Sequence, residues 1–528
     1  MEVGKSNRIV IIGAGVSGLV AARWLLEYDP SADIVFLEYH SRVGGVWDVE
    51  REYGVMETTV CNVSRFVMEL NGLSWSKGGP NFPNFPVQTQ VLEYIEKYAN
   101  NFKLFEKTKI TLNTLVTSVA RLTNEEFNWE IHGKDMIGGT VKTFFATHLI
   151  VSSGHNEFPN YPQNIQGLEE AKNTIHSGNF KSCVKNDLFD TSVLVVGLSF
   201  SAVDAAVELK KGRNDVTVVL RNGCWFGERY SSCGKPSDLM VSRLFLYLPT
   251  WLINSILKLK FNRGLNQNTW QISNNVEPIG GKFVESSKFV DLVKRGKVSI
   301  RHGSLISIIG KEVTFEDGST KEFDKIIFCT GYKLEFPFLE DSVNQSILEN
   351  GSVNLYKNIL HPDYEDTLTF VGLFNTRFTS PWPMIDMQAR YIASLINKRT
   401  ALPSIHEMLD GIAKQHQHTK DLGAAHRASL FMSPSYRDDL AKMIGCYPCI
   451  WFLTSPRRWI QHHFGPVTWA GYSLVKGNPG YCEKGEGAVD EICELVWGKN
   501  WFYKKLVGPL IMISVGLIVL VPFITWAV

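Results

Sequence analysis

Neither sign of charge dominates this sequence: 54 Lys and Arg stand against 53 Asp and Glu, a formal net of +1 over 528 residues. No basic block or aromatic–basic stripe interrupts that balance, so the electrostatic footprint of a nucleic-acid surface is missing. Cysteine is sparse and odd in number, with nine residues scattered along the chain. That usage argues against a secreted disulfide framework and suits a reducing compartment. No His/Cys cluster has zinc spacing, and no metal is expected. Cys446 and Cys449 form a CxxC outside any thioredoxin-like βαβ pattern, which leaves a redox dithiol or a pair of ordinary thiols. Low-complexity tracts are absent.

Long uncharged apolar runs are equally scarce. Residues 9–26 are apolar, but three glycines and Arg23 interrupt them and no cleavage-site pattern follows, which excludes an export signal. Residues 239–261 are broken by Arg243, Pro249, Asn254 and Lys258. They read either as an insertion lying on a bilayer surface or as a helical insertion packed on the protein. Only residues 506–528 are long and free of charge; as a helix they span about 34 Å, enough to cross a bilayer. A buried terminal helix is the other reading. Lys499, Lys504 and Lys505 precede the run and nothing basic follows, so the positive-inside rule leaves the body of the chain in the cytosol.

What remains is the composition of a globular protein, 44% hydrophobic and 20% charged, long enough for two or three domains. The apolar run over residues 8–12 reads as a strand buried on both faces, followed by a glycine turn and a helix. Residues 191–196 repeat the pattern, so a βαβ unit occurs twice. Helical spacing marks residues 88–105, and β-branched alternation marks 109–145. The predicted class is α/β, with two Rossmann-like dinucleotide-binding domains and a C-terminal transmembrane helix. The expected layout is a discontinuous first nucleotide domain over 1–155 and 326–445, interrupted by a second over 186–325 with a helical insertion at about 236–265. A C-terminal region over 446–505 and the 506–528 anchor complete it. Residues 148–151 and 325–328, each a strand ending near glycine, are the expected crossing points.

Gly13-Ala14-Gly15-Val16-Ser17-Gly18 is a complete GxGxxG between a strand and a helix. Gly13 permits the turn, Gly15 lets the backbone approach a pyrophosphate, and Gly18 allows close helix–strand packing. The helix mouth then offers unpaired N–H groups to the phosphates. Glu38 follows twenty residues after Gly18, where an acid holds a ribose hydroxyl. Gly44 and Gly45, with Val46 and Trp47, suit a second close approach to a longer cofactor and point to FAD. Trp47 also reads as a core side chain. The second motif, Gly197-Leu198-Ser199-Phe200-Ser201-Ala202, keeps small residues at the glycine positions. Arg221 ends the next strand, where an Arg accommodates a 2′-phosphate, so NADPH is expected; a solvated strand-end Arg is the other reading. Two nucleotide sites together imply hydride transfer from NADPH to flavin.

With those residues in place, the chain resembles the flavin-containing monooxygenases, particularly the membrane-anchored animal type, over nearly its full length. The likeness includes both nucleotide motifs, Asn62-Val63-Ser64-Arg65 with Met68, and the segment from Phe82 to Pro86. It continues through Cys329-Thr330-Gly331-Tyr332, Met387 to Arg390, Gly465 to Thr468 and the C-terminal run. The resemblance implies reduction of FAD by NADPH, capture of O2 as a C4a-hydroperoxyflavin, and attack on it by a soft nitrogen or sulfur of a small molecule. It assigns Asn62 a place beside flavin and NADP+, where a side-chain amide can donate and accept; a turn Asn is the bland alternative. Cofactor contacts carried over are Cys61, Val63, Ser201, Ala202, Val203, Asp204, Thr330 and Gly331. The resemblance also implies an endoplasmic-reticulum membrane with the catalytic domains cytosolic, and leaves oligomeric state open.

Departures are definite. The family's linker signature keeps only His176 and Phe180, with Glu170 and Lys172 replacing its Phe and Gly, so His176 is either a coupling residue or a linker histidine. Glu69-Leu70-Asn71-Gly72 replaces the usual Ser-Asp pair, and Cys329 replaces a customary Ala. A Baeyer–Villiger enzyme, an uncoupled NADPH oxidase and a non-enzymatic membrane adaptor are the competing readings. Phe180 where the Baeyer–Villiger class places Trp weighs against the first, and the usable phosphate loops weigh against the last.

Overall fold

Alternate residues of the strand Arg8–Ile12 face opposite ways, and both sets are buried. Ile9 and Ile11 join an apolar core with the helices Val16–Tyr28 and Trp382–Ile396, while Val10 and Ile12 join a separate one with the strands Thr114–Arg121 and Trp129–Asp135. A residue run with no polar face therefore has to sit inside a three-layer sandwich. The same division recurs in the second unit. Val193 and Val195 face the helices Phe200–Lys211 and Ser287–Lys294; Leu194 and Val196 face the strands Leu305–Ile309 and Glu312–Phe315.

These observations come from a computed structural model that describes residues 7–75, 82–123, 126–265, 277–279, 282–349, 352–376, 380–421, 430–431, 433–448, 455–465, 468, 472 and 484–497. The first sheet is parallel, ordered Leu368–Phe370, His148–Val151, Arg8–Ile12, Asp33–Leu37, Lys109–Thr111. The second is also parallel, ordered Val298–His302, Asp215–Leu220, Ser192–Val196, Lys325–Phe328, Thr174–His176. Each has one antiparallel three-stranded sheet on a face: Thr114–Arg121, Trp129–Asp135 and Val141–Ala146 on the first; Leu305–Ile309, Glu312–Phe315 and Thr320–Glu322 on the second.

The chain crossings fall outside the expected limits. Thr174–His176 and Lys325–Phe328 both pair within the second sheet, so that unit begins before residue 186 and ends after 325. The return lies at Thr330 to Tyr332. Propensity could not place it, because a strand that closes one sheet looks the same as a strand that opens the other.

His176 marks the crossing. It is fully buried, its Nε2 hydrogen-bonds the Gly331 carbonyl at 3.0 Å, and its Nδ1 accepts from Gly178 N at 3.3 Å. The rings of Tyr332, Tyr161 and Tyr53 surround it at 4.8, 5.7 and 6.3 Å. Two committed nitrogens leave a neutral imidazole that ties the departing strand to the returning one.

The insertion is helical, with Ser237–Met240, Arg243–Leu246 and Thr250–Leu265. Leu246, Ile253, Leu257 and Phe261 pack inward on Trp225, whereas Leu244, Tyr247, Trp251 and Leu259 are exposed. Its inner face is fixed by the buried Arg243, whose guanidinium meets the Asp438 carboxylate and donates to Tyr472 Oη at 2.9 Å. Among the described residues no helix is long and apolar enough to cross a membrane; the 506–528 run lies outside them, as does Cys449. Cys446 is buried in the first core, where burial raises its thiol pKa.

Candidate active site

The first nucleotide loop is built from contacts that only glycine permits. Gly13 has φ +97°, and a Cβ there would lie 2.6 Å from Ser152 O. At Gly18 a Cβ would lie 2.2 Å from Gly13 O, so helix and loop touch backbone to backbone. Ser152 Oγ closes the loop by donating to Ile12 O and Gly13 O at 2.8 and 2.9 Å. The helix that follows starts at Val16 with Gly15 as N-cap and no side-chain cap, leaving its first N–H groups for an anion. Ala14 is packed into the core, while Val16 and Ser17 are half-buried.

Glu38 reaches this loop. Its Oε2 accepts from Ala14 N at 2.6 Å and its Oε1 from His40 N at 2.9 Å. Desolvation raises its pKa, against those two hydrogen bonds and the Arg51 charge. The carboxylate thus braces the turn and keeps free lone pairs for a ribose hydroxyl. Gly45 starts the short helix Gly45–Trp47, and a Cβ on it would lie 3.1 Å from Gly15 Cα. Two glycine backbones therefore line one crevice. Val46 and Trp47 are half-buried, with Trp47 edge-on to Trp382 at 6.5 Å.

Arg51 is a cation that motif reading missed. Its guanidinium lies 4.0 Å from the position of a Gly45 Cβ and pairs with Glu157. Lys181 Nζ donates to Arg51 O at 2.8 Å, and burial pulls that amine down to about 8. Nothing in the spacing marked either residue, because Arg51 reaches the crevice from a loop and Lys181 meets the Arg51 carbonyl from a segment 130 residues away. An uncapped helix mouth, a glycine-lined crevice and a neighbouring guanidinium fit the pyrophosphate of a dinucleotide.

The second loop repeats the first. Gly197 has φ +102°, and a Cβ would lie 2.8 Å from Cys329 O. Ser199 is the N-cap of Phe200–Lys211 without a side-chain cap. Ala202 and Val203 are fully buried against the sheet, so they pack the helix and leave Ser199 and the half-buried Ser201 at its mouth. Arg221 is exposed just beyond Asp215–Leu220, at the same sheet end where Gly197 N donates to Val219 O at 2.8 Å. Thr330 Oγ1 hydrogen-bonds Asn160 O, and Gly331, φ +81°, faces open space.

Between the two units lies a cavity of about 710 Å³. Asn62 lines it, with Phe85, Phe226, Met240, Phe261 and Phe283 among the apolar walls and Arg229, Asp238 and Glu285 among the polar ones. Asn62 and Val63 are half-buried; Cys61 is 2% exposed and burial pushes its thiol up to about 12, so it is an inert thiol. Burial pushes Glu285 up to about 8, with the Asp238 charge adding to it, so Glu285 is a neutral acid at pH 7. Asp204, near the second helix mouth, is pushed up to about 6 by burial, opposed by Arg229. Glu69 is spent locally: its Oε1 accepts from Ser74 Oγ at 2.7 Å and Trp75 N at 3.1 Å, forming a turn in place of the usual Ser-Asp pair.

Two parallel-sheet nucleotide folds, each with an uncapped helix mouth, meeting at one apolar cavity define a dinucleotide-dependent α/β oxidoreductase. The profile of the flavin-binding monooxygenase-like family matches residues 6–493, and the chain belongs to that family. Flavin-containing monooxygenase 2 of Homo sapiens is 28% identical over 504 residues, covering 92% of this chain and 91% of that protein. Flavin-containing monooxygenase 3 of Rattus norvegicus is 30% identical over 488 residues, 89% of each. Among solved structures, S-allyl-L-cysteine S-oxygenase from Allium sativum superposes with a TM-score of 0.58 at 20% identity, covering 94% of each chain. Cyclohexanone monooxygenase from Rhodococcus sp. Phi1 bound to NADP+ gives 0.61 at 16%, covering 83% of this chain and 97% of that one. The protein is a flavin monooxygenase, with FAD and NADPH as cofactors and O2 and a small molecule as co-substrates. When bound, FAD supplies the electron transfer from NADPH to oxygen.

Proposed function

We propose that this enzyme oxygenates a soft nitrogen or sulfur on a small, largely apolar molecule, with FAD held at the 13–18 loop and NADPH at the 197–202 loop. The observation that carries the reading is the cavity itself: apolar walls of Phe85, Phe226, Met240, Phe261 and Phe283, with the Asn62 amide on one side. A soft nucleophile needs no protein base or nucleophile, so the wall has only to exclude water and hold the reacting groups near the amide. A second reading, oxygen insertion beside a ketone, is favoured by one feature: the neutral Glu285 carboxyl can donate a hydrogen bond to a carbonyl oxygen.

The test is turnover of detergent-solubilised, FAD-loaded protein with a thioether, a tertiary amine and a cyclic ketone, counting product and peroxide per NADPH. Sulfoxide or N-oxide in near-equal yield with NADPH consumed supports the proposal. Lactone in that yield moves it to the second reading, and peroxide alone makes the protein an NADPH oxidase.

Arg221 is assigned the 2′-phosphate from its place at the strand end beside Gly197. Arg221→Ala is expected to raise KM for NADPH by about ten-fold, the loss of one charge-assisted contact, and to leave that for NADH unchanged. Equal effects on both nucleotides would remove the assignment. Anchoring belongs to residues 506–528, whose uncharged length supports a membrane span and whose preceding lysines support cytosolic cofactor domains; the endoplasmic-reticulum membrane rests on the family resemblance alone. Deleting them should move the protein from the membrane to the soluble fraction on carbonate-washed fractionation; an unchanged distribution would argue against the anchor.

A further inference from the structure

Asn62 belongs to the first unit, yet the loop that carries it is held in part by the second. Two residues before it, the Val60 carbonyl accepts from Arg229 Nη2 at 3.3 Å. Two residues after it, Ser64 N donates to Asp238 Oδ2 at 2.5 Å. Arg229 follows the second-unit strand Cys224–Gly227, and Asp238 sits in the insertion helix Ser237–Met240. These partners are 169 and 174 residues away in sequence. The other side of the loop is pinned within its own unit, by Cys61 N to Pro86 O at 2.9 Å and Arg65 N to Asn84 O at 2.8 Å.

An apolar plug backs the polar grip. Leu239, next to Asp238, is 1% exposed and packs with Phe66 and Val67 just beyond the loop. Tyr230, next to Arg229, lies edge-on to Phe85 at 5.2 Å. Holding two domains together would need only such apolar contacts. The polar pair comes at a cost: among the described residues Arg229 Nε is shielded from solvent without a hydrogen-bond partner, burial raises the pKa of the Asp238 carboxyl, and Glu285 crowds it with a second acid. Groups kept at that cost, and aimed at backbone atoms on both sides of one side chain, fix where that side chain lies.

We propose that Arg229 and Asp238 are positioning residues for Asn62, gripping the 60–64 loop so that its amide faces the cavity only while the nicotinamide-nucleotide unit and its insertion are seated. This rests on the monooxygenase role proposed for Asn62 above. The arrangement makes coupling of NADPH use to oxygenation depend on the second unit's position.

The experiment compares Asp238→Ala, Asp238→Asn and Arg229→Lys with the parent as FAD-loaded full-length protein. One readout is peroxide released per NADPH; the other is hydrogen–deuterium exchange of the peptide spanning residues 60–68. Asp238→Ala should raise peroxide per NADPH and loop exchange by about ten-fold, the scale of one buried charge-assisted hydrogen bond. Asp238→Asn keeps an acceptor and should restore most of both. Combining Asp238→Ala with Asn62→Ala should add nothing to the peroxide yield of Asn62→Ala alone. Arg229→Lys, which keeps the charge and a donor, covers the case in which the alanine variant does not fold. Parental coupling or unchanged exchange in Asp238→Ala overturns the proposal, as does an additive double variant. A parent that itself releases one peroxide per NADPH removes the monooxygenase reading instead, and the exchange readout then judges the grip alone.

Discussion

Asn62→Ala is expected to keep its FAD and to be reduced by NADPH at the parental rate, while oxygenated product per NADPH falls about ten-fold or more and peroxide takes its place. The FAD crevice is made by Gly13, Gly15, Gly18, Glu38 and Gly45, none of which touches the Asn62 loop in the contacts described above. Removing the amide therefore leaves the cradle intact. What is lost is a group that donates and accepts at the wall of the cavity, and one such donor is worth about 10²–10³ in rate when charge develops near it. Asn62→Asp separates shape from chemistry, because it keeps the outline and removes the donor. Product, peroxide and NADPH counted together decide the matter. If both variants stay coupled, Asn62 is a turn residue and the catalytic role fails.

The glycines of the first loop should divide into two kinds. Gly18→Ala places a methyl 2.2 Å from Gly13 O and 2.8 Å from Ser152 Oγ. Overpacking costs about 1–3 kcal/mol where side chains can give way, and here the nearest atom is backbone. This variant should lose stability and FAD together. Gly15→Ala is different: its methyl would meet Gly45 Cα at 3.5 Å, an ordinary contact, while facing the crevice meant for the pyrophosphate. The apoprotein should melt at close to the parental temperature and bind FAD at least about ten-fold more weakly, since the backbone approach is blocked. Thermal melts with and without added FAD, followed by flavin fluorescence, separate the two effects. A Gly15→Ala protein with parental FAD affinity would place the pyrophosphate elsewhere.

Much of the scaffold was legible because its signals are local. Residues 8–12 and 192–196 are apolar on both faces, a pattern compatible with a doubly covered parallel strand, and each is followed by a glycine turn whose φ no other residue adopts easily. Of the alternation over 109–145, Lys109–Thr111 joined the parallel first sheet and the rest, from Thr114, became an antiparallel meander, while the helical spacing from residue 88 became Gln88–Asn101 followed by the short Leu104–Lys107. Residues 239–261 carried two readings because their apolar positions serve both faces. Leu246, Ile253, Leu257 and Phe261 pack inward, and Trp251 and Leu259 do not.

The sequence by itself determined that two dinucleotide folds are present, where each glycine loop lies, and that Glu38 and Arg221 end the strands beside them. Those features depend on neighbours within about one turn or strand, so spacing alone specifies them. Only the tertiary structure decided which sheet each strand joins, as with Lys325–Phe328 inside the second, because pairing is chosen by the partner edge and not by the strand. It also decided that Arg51 reaches the first crevice and that Arg229 and Asp238 grip the Asn62 loop from 169 and 174 residues away. Such contacts depend on how two finished domains meet, and a linear pattern carries no term for that.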